Sequence, residues 1–439
     1  EAKAFEDLLD TLRKWKDEND INEDEAKRCA ILYQYFSNSD KWKDRLNFSM
    51  KAMNYTNVPE DISKEEIQKL YGNTLRTSIS RLEQYKSCPF SYYLKYGLKL
   101  SDKSEFKIEA VDTGTFMHDV IDSFFEKVEE SNLNIKLLDD DKIQKIVDEI
   151  IDEKLQLKQN YIFTSIPKYR VLAGRLKKVI KQSMKYIVDS LKFSKFNVLG
   201  HEMEFKSQKE YPPIEIKLEN GKAVEITGKI DRIDIAKTAD GNYIRIIDYK
   251  SSVKDINLNE VKAGLQLQLL TYMDAVCEIE DVLPAGVLYF NLIDPTIKAS
   301  SHLSQEEIEF ELRKQFKMKG LILADIDVAQ MMDTNLEKGS SNVIPAYVDK
   351  DGNLSQKSSS VTRKQFEDLQ KYTKNMLSEI SEEILSGKID VKPYYKVKGG
   401  KTPCEYCSYK SICQFNNGIC KNSYYYIGNI NKDAILEQI

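Results

Sequence analysis

The stretch that most narrows what this chain can fold into is residues 224–252. There "VEITGKIDRIDIA" and "NYIRIIDYKSS" alternate apolar and polar positions on either side of Asp240-Gly241. Period-two alternation around an Asp-Gly pair predicts a β-hairpin, because glycine accepts the positive φ that a type I′ turn demands. With those two residues as the loop, Ala239 opposes Asn242, Asp231 opposes Lys250 and Asp248 opposes Ile233. Residues two apart share a face, so Asp231, Asp248 and Lys250 are predicted to project to one side of the sheet. Opposed Cβ atoms lie about 5 Å apart and diagonal ones about 7–8 Å, so one divalent ion can reach both carboxylates. Arg232 and Asp234 fall on the other face and read as a local structural pair.

Charges at the buried end of an apolar strand are costly unless something pairs with them. Two close carboxylates repel each other until a cation neutralises them, and hard oxygen ligands with room for water suit Mg²⁺ or Mn²⁺. A lysine beside them fits a site that handles phosphate, where it can stabilise charge building on the phosphorus. A lone Asp-x-Lys is ordinarily a surface ion-pair ladder. Here "GKIDRID" and "IIDYK" arrive in matched register, which favours a site.

The rest of the chain reads as a mixed α/β core with helical embellishment. Its 439 residues, 41% hydrophobic and 31% charged, allow a large core. Residues 1–70 form helices with charged faces, ending where Asp61 or Ser63 can cap a short helix. An aromatic-rich helix starts near Ser78 or Ser80, another follows "DTGT", then an acidic helix around "LLDDDKIQKIVDEI". "GVLYFNLI" reads as a doubly buried strand, "GLQLQLLTYMDAV" as a helix, and Asp351-Gly352 as a hairpin tip before a capped helix to about Leu385. Residues 71–439 are expected to make one domain. The opening is polar, no apolar run reaches the roughly 18 residues a membrane span needs, and a cytoplasmic protein without membrane contact is expected. Because the chain starts at Glu1 in mid-pattern for a helix, it is expected to be part of a longer polypeptide.

A net charge of −5 gives no overall basic signature, but residues 165–200 hold nine Lys/Arg against Asp189 alone. On a helical wheel Arg170, Lys177, Lys178, Lys181, Lys185 and Lys192 share one sector opposite Leu172, Leu176, Val179, Ile180, Ile187 and Leu191. That face is either solvated or tracks phosphates. Seven cysteines in such a chain argue for metal rather than disulfides. Cys404, Cys407 and Cys413 form C-x2-C-x5-C, with Cys88 the best fourth ligand. The spacing alone leaves zinc and an iron–sulfur cluster open. Cys29 and Cys277 read as buried thiols, and Cys420 ranks fifth as a ligand.

"GTFMH", "GKIDRID", "IIDYKSS" and "LQLLTY", in that order, resemble the RecB-type branch of the PD-(D/E)XK nuclease superfamily. The resemblance implies a restriction-endonuclease-like core, a mixed sheet flanked by helices, acting as a metal-dependent deoxyribonuclease. It assigns metal binding to His118, Asp231 and Asp248, the catalytic lysine to Lys250, and helix positions to Gln268 and Tyr272, with Gln266 competing for the glutamine role. Ile230 stands where the superfamily's name implies proline, a position that varies in this branch. His201 and His302 lack such context and read as structural. Glu202 and Glu204, in "GHEMEF", fit either a further site carboxylate or an ordinary strand edge.

The "CPF" cysteine upstream and the C-x2-C-x5-C downstream are similar to the iron-staple nucleases of that superfamily. This implies a [4Fe-4S] cluster on Cys88, Cys404, Cys407 and Cys413 that clasps the domain's ends. Among them, "SISRLEQYKSCPF" and "CEYCSYKSICQF" look most like the C-terminal part of the AddB family of helicase-nuclease proteins. That likeness implies DNA as substrate, an AddA partner, end processing in recombinational repair and cutting of the strand that ends 5′. Residues 1–70 would then be the tail of a helicase-like region. No G-x4-GK[ST] occurs, so ATP hydrolysis is expected to come from elsewhere. A silent DNA-binding scaffold and a CRISPR-adaptation nuclease are the alternative expectations.

Overall fold

The computed structural model describes residues 1–18, 21–55, 59–103, 105–219, 221–239, 241–297, 302–417 and 423–439. Asp240 and Cys420 lie outside the described residues. The chain divides into two compact units, Glu1–Pro59 with Lys410–Ser423, and Glu60–Tyr409 with Tyr424–Ile439. The division falls before the short helix expected to close the first segment near residue 70, so that helix belongs to the larger unit.

In the smaller unit, α1 (Ala2–Glu18), α2 (Glu23–Ser37) and α3 (Lys43–Met53) surround a core of Phe5, Leu8, Phe36, Trp42 and Leu46. Asn22 and Glu25 close a reciprocal capping box that starts α2.

The larger unit opens with α4 (Lys64–Tyr71), capped by Ser63, then β1 (Thr74–Ser78), α5 (Ile79–Ser87) and the single turn α6 (Pro89–Tyr92). Helices α7 (Ala110–Glu130), α8 (Asp140–Gln156), α9 (Ile162–Ser165) and α10 (Pro167–Lys192) follow. Next come β2 (Asn197–Phe205), β3 (Ile214–Lys217), β4 (Ala223–Thr238) and β5 (Gly241–Lys250). Then α11 (Leu258–Lys262), α12 (Gln268–Glu280), β6 (Leu283–Asn291), α13 (Gln305–Phe316), β7 (Lys319–Leu323) and α14 (Ile326–Met332) continue the chain. The remainder is β8 (Gly339–Ser340), β9 (Tyr347–Val348), β10 (Ser360–Val361), α15 (Arg363–Leu385), β11 (Tyr394–Lys396) and β12 (Tyr425–Ile427).

One mixed sheet runs β1-β4-β5-β6-β7-β10, with β2 and β3 also paired to β4. The β1–β4, β5–β6 and β7–β10 pairs are parallel, and β4–β5 and β6–β7 are antiparallel. The α/β class expected from the sequence is what the chain forms. β5 is covered on both faces, so its apolar residues do not alternate with polar ones: Ile244, Ile246 and Ile247 are all fully buried. Each such side chain contributes about 1.5–3 kcal/mol of transfer free energy, which offsets the charges buried beside it. Those charges form a triad on the face away from Asp248. Asp234 Oδ2 accepts from Arg232 at 3.1 Å and from Arg245 at 2.8 Å, and all three residues are buried. Arg245 is no part of the pair read from sequence, although its register opposite Asp234 requires it.

The hairpin register differs from expectation by two residues. Thr238 pairs with Gly241 and Arg232 with Ile247, the last pair of the ladder, and the same register continued by one residue sets Asp231 against Asp248 rather than Lys250. An even slip preserves which face each side chain occupies, so the predicted grouping survives the shift. Helix α7 likewise starts earlier than expected, at Ala110, with Glu109 and Asp112 forming its capping box. Gly114 therefore lies inside the helix, where a Cβ would sit 3.6 Å from the Ser251 Oγ just beyond β5.

The one-signed face of α10 is compensated within the molecule. Lys177 and Lys181 reach Asp148 of α8 at 3.2 and 2.8 Å, and Lys185 bridges Asp140 and Glu309. The acidic helix and the basic helix are thus two halves of one ion-pair layer. This favours the solvated-face reading over phosphate tracking for these lysines.

Candidate active site

Three elements deliver side chains to the carboxyl end of β5. β4 brings Asp231, β5 brings Asp248 and Lys250, and α7 packs across them with His118. Where the β4–β5 ladder ends, the Asp231 carboxylate replaces a backbone acceptor: the Tyr249 N–H donates to its Oδ2 at 2.7 Å. The same oxygen lies 3.4 Å from His118 Nδ1. Lys250 Nζ stands 2.6 Å from Asp248 Oδ2. Beyond β5, Asn291 accepts the Lys254 N–H at 2.8 Å and donates to its carbonyl, fixing the loop that leaves the site.

The electrostatics follow from this crowding. Burial, reinforced by the Asp231 charge, pushes the Asp248 carboxyl above the usual carboxylate range, while Lys250 and His118 pull against it. Burial would lower the His118 imidazole, but the bond to Asp231 and the charges of both aspartates outweigh it and hold the group above its ordinary value. Two carboxylates facing each other on a half-buried sheet end form a place where added positive charge is stabilising.

Among the described residues, the imidazole and carboxylate donor atoms that meet as a group of three within 4.8 Å of one another belong to His118, Glu202 and Asp231. Glu202 thus occupies the place in that group that the resemblance assigns to Asp248. Its backbone sits at φ 52°, in the left-handed region, between the pairs His201–Arg232 and Met203–Ile230. A glutamate held there on a strand edge is strained by roughly 1–3 kcal/mol, which draws attention to what its side chain does. It also contacts Lys229. Glu204 instead faces Lys209 and stays outside the group. "GHEMEF" holds both candidates, and alternation alone does not separate them because residues two apart on a strand share a face.

Helix α12 supports the site from below. Tyr272 is buried and stacks on Phe205 at 5.4 Å, and its hydroxyl meets the Lys229 backbone amide and the Gln268 side chain. It therefore touches the Gly228–Asp231 strand rather than presenting an open surface. Gln268 sits at the first helical position, whereas Gln266 lies outside the helix. Gln266 accepts the Asn257 N–H at 2.8 Å and donates to the Asp255 carbonyl, which holds a loop. The geometry favours Gln268 over Gln266 beside Tyr272.

The remaining sequence candidates fall elsewhere. His201 bonds Asp122 at 2.6 Å and stacks on Phe125, tying α7 to β2. His302 is exposed. Cys88 is buried at the junction of α5 and α6, and Cys404 and Cys407 bracket one tight turn in which the Cys407 N–H donates to the Cys404 carbonyl. Cys413 belongs to the smaller unit. Cys29 is buried, and Cys277 is half-buried near Met273. Among the described residues, no helix is long and apolar enough to cross a membrane.

Comparison with known proteins matches residues 76–414 to the family model of the PD-(D/E)XK nuclease superfamily. Relatives named as a subunit of an ATP-dependent helicase/deoxyribonuclease align over nearly the whole chain. The one from Clostridium novyi is 41% identical over 97% of this chain, and that from Clostridium acetobutylicum 39% identical over 97%. The relative from Acetivibrio thermocellus is 39% identical over 96%. The chain spans about 37% of the length of these curated relatives.

Proposed function

The chain belongs to the PD-(D/E)XK nuclease superfamily, and from that premise we propose that it is the nuclease portion of the AddB component of an ATP-dependent helicase/deoxyribonuclease. It hydrolyses DNA phosphodiesters as an exonuclease, with AddA as partner, during double-strand-break repair by homologous recombination. One observation carries this reading: Asp231, Asp248, Lys250 and His118 converge at the end of β5 from three separate elements.

The donor set suits a hard divalent cation, because the His118 imidazole nitrogen and the carboxylate oxygens of Glu202 and Asp231 lie within 4.8 Å of one another. His118, Asp231 and Asp248, joined by Glu202, would hold Mg²⁺ or Mn²⁺. When bound, such an ion supplies Lewis-acid polarisation of a phosphate and lowers the pKa of water. The protein does the rest. Lys250, oriented by Asp248, places a positive charge where charge develops on the phosphoryl oxygens. Gln268 and Tyr272 fix the strand that carries Asp231. Cys88, Cys404, Cys407 and Cys413 would hold a [4Fe-4S] cluster; an all-thiolate set in irregular spacing is the donor chemistry such a cluster takes.

Cutting of linear duplex DNA by the complete helicase-nuclease, with Mg²⁺ and ATP, tests the reading. Replacement of Asp248 by Ala is expected to slow the cutting done by this chain by roughly 10²-fold or more while DNA binding persists. Unchanged cutting would instead make the chain a silent DNA-binding scaffold.

A further inference from the structure

Helix α12 begins without a cap of its own. Its N-cap residue, Leu267, is apolar and fully buried, so no local side chain accepts the first helical N–H groups. Gln266 is already committed to the loop at Asp255 and Asn257. The acceptor comes from far away in sequence: Glu83 Oε1 takes the Leu267 N–H at 2.7 Å and the Gln268 N–H at 3.2 Å. Glu83 lies on α5, one turn before Cys88. Its carboxylate also lies in the field of Lys250 and Lys254.

We infer that Glu83 is a positioning residue for the nuclease site: by capping α12 from α5 it aims Gln268 and Tyr272 at the Gly228–Asp231 strand. The inference rests on the nuclease reading above. Its physical basis is that an uncapped first turn frays, and the residue that would swing with it is Gln268 at position one. Tyr272, one turn on, depends on the same turn for its contact with Lys229. Burial pushes the Glu83 carboxyl up to about 7 even though two N–H groups stabilise its charge, so its placement there is not an ordinary surface choice.

Two substitutions in the complete helicase-nuclease test this. Glu83→Ala removes the acceptor, whereas Glu83→Gln keeps a carbonyl oxygen that can accept both N–H groups and removes only the charge. Glu83→Ala is expected to lower kcat about 10-fold or more with KM within about 2-fold, and Glu83→Gln to return it to within about 3-fold of the parent. Hydrogen exchange at residues 267–272 should speed up in the Ala protein and not in the Gln protein. Parent-like kcat in Glu83→Ala overturns the inference, as does a Glu83→Gln protein as slow as Glu83→Ala. Asp248→Ala, assayed in parallel, keeps the two readings apart. If it cuts like the parent, the nuclease reading falls, and the exchange data alone then decide whether Glu83 caps α12.

Discussion

Gly228 shows how one missing side chain can set the geometry of a site. A Cβ there would stand 2.1 Å from the Tyr272 hydroxyl oxygen and 2.8 Å from the ring carbon that bears it. Its neighbours are a buried ring stacked on Phe205 and a strand held to β2 by the Phe205–Gly228 pair, so both resist displacement. The glycine of "GKID" is thus a steric requirement of the Tyr272 contact. Gly228→Ala is expected to cost about 1–3 kcal/mol of stability by overpacking. Nuclease activity should fall with it, since the displaced strand carries Asp231. Denaturant melts and DNA-cutting rates check both, and a parent-like variant would mean that Tyr272 can move away freely.

At the scale of elements, the pairing of α8 with α10 changes what the basic helix does. Lys177 and Lys181 are each held by Asp148, and Lys177 by Asp152 as well, in partly exposed geometry. Pairs of this kind contribute about 0–1 kcal/mol, but they remove positive charge that DNA would otherwise meet. Each lysine that truly neutralised a phosphate would add about 0.9 to the slope of log affinity against log salt. Replacing Lys177 and Lys181 together by Ala is therefore expected to leave that slope unchanged within about 0.5 and to cost under about 1 kcal/mol in stability. Salt titration of DNA binding measures it, and a slope smaller by about 2 would restore the phosphate-tracking role.

For the molecule as a whole, the open matter is how segments distant in sequence are kept together. Cys88 sits at the end of α5, the helix that also carries Glu83, and its proposed fellow ligands follow α15. A cluster on these cysteines would constrain nearly the entire nuclease domain, a cross-link on the order of 3–5 kcal/mol by chain-entropy reasoning. Anaerobically purified protein is expected to contain iron and sulfide and to absorb in the visible. Cys88→Ala should lose that absorption and lower Tm, whereas Asp248→Ala should keep both. Stoichiometric zinc in place of iron would replace the cluster with a zinc site.

Much of this architecture is legible in the residues. Alternation places β4, the apolar run after Gly241 places β5, and capping pairs such as Thr362 with Gln365 place the helices, because these signals are local and depend only on near neighbours. The shared face of Asp231, Asp248 and Lys250 is also fixed locally, since strand parity survives a slip of two residues. Tertiary structure decides the rest. Asp231 faces Asp248 and not Lys250, Glu202 and not Glu204 joins His118, the lysines of α10 pair with α8, and Glu83 caps a helix whose first turn lies 184 residues later. Each of these depends on which group lies across a gap in space, and a charge or an unfilled hydrogen bond carries no mark in the sequence of the partner that satisfies it.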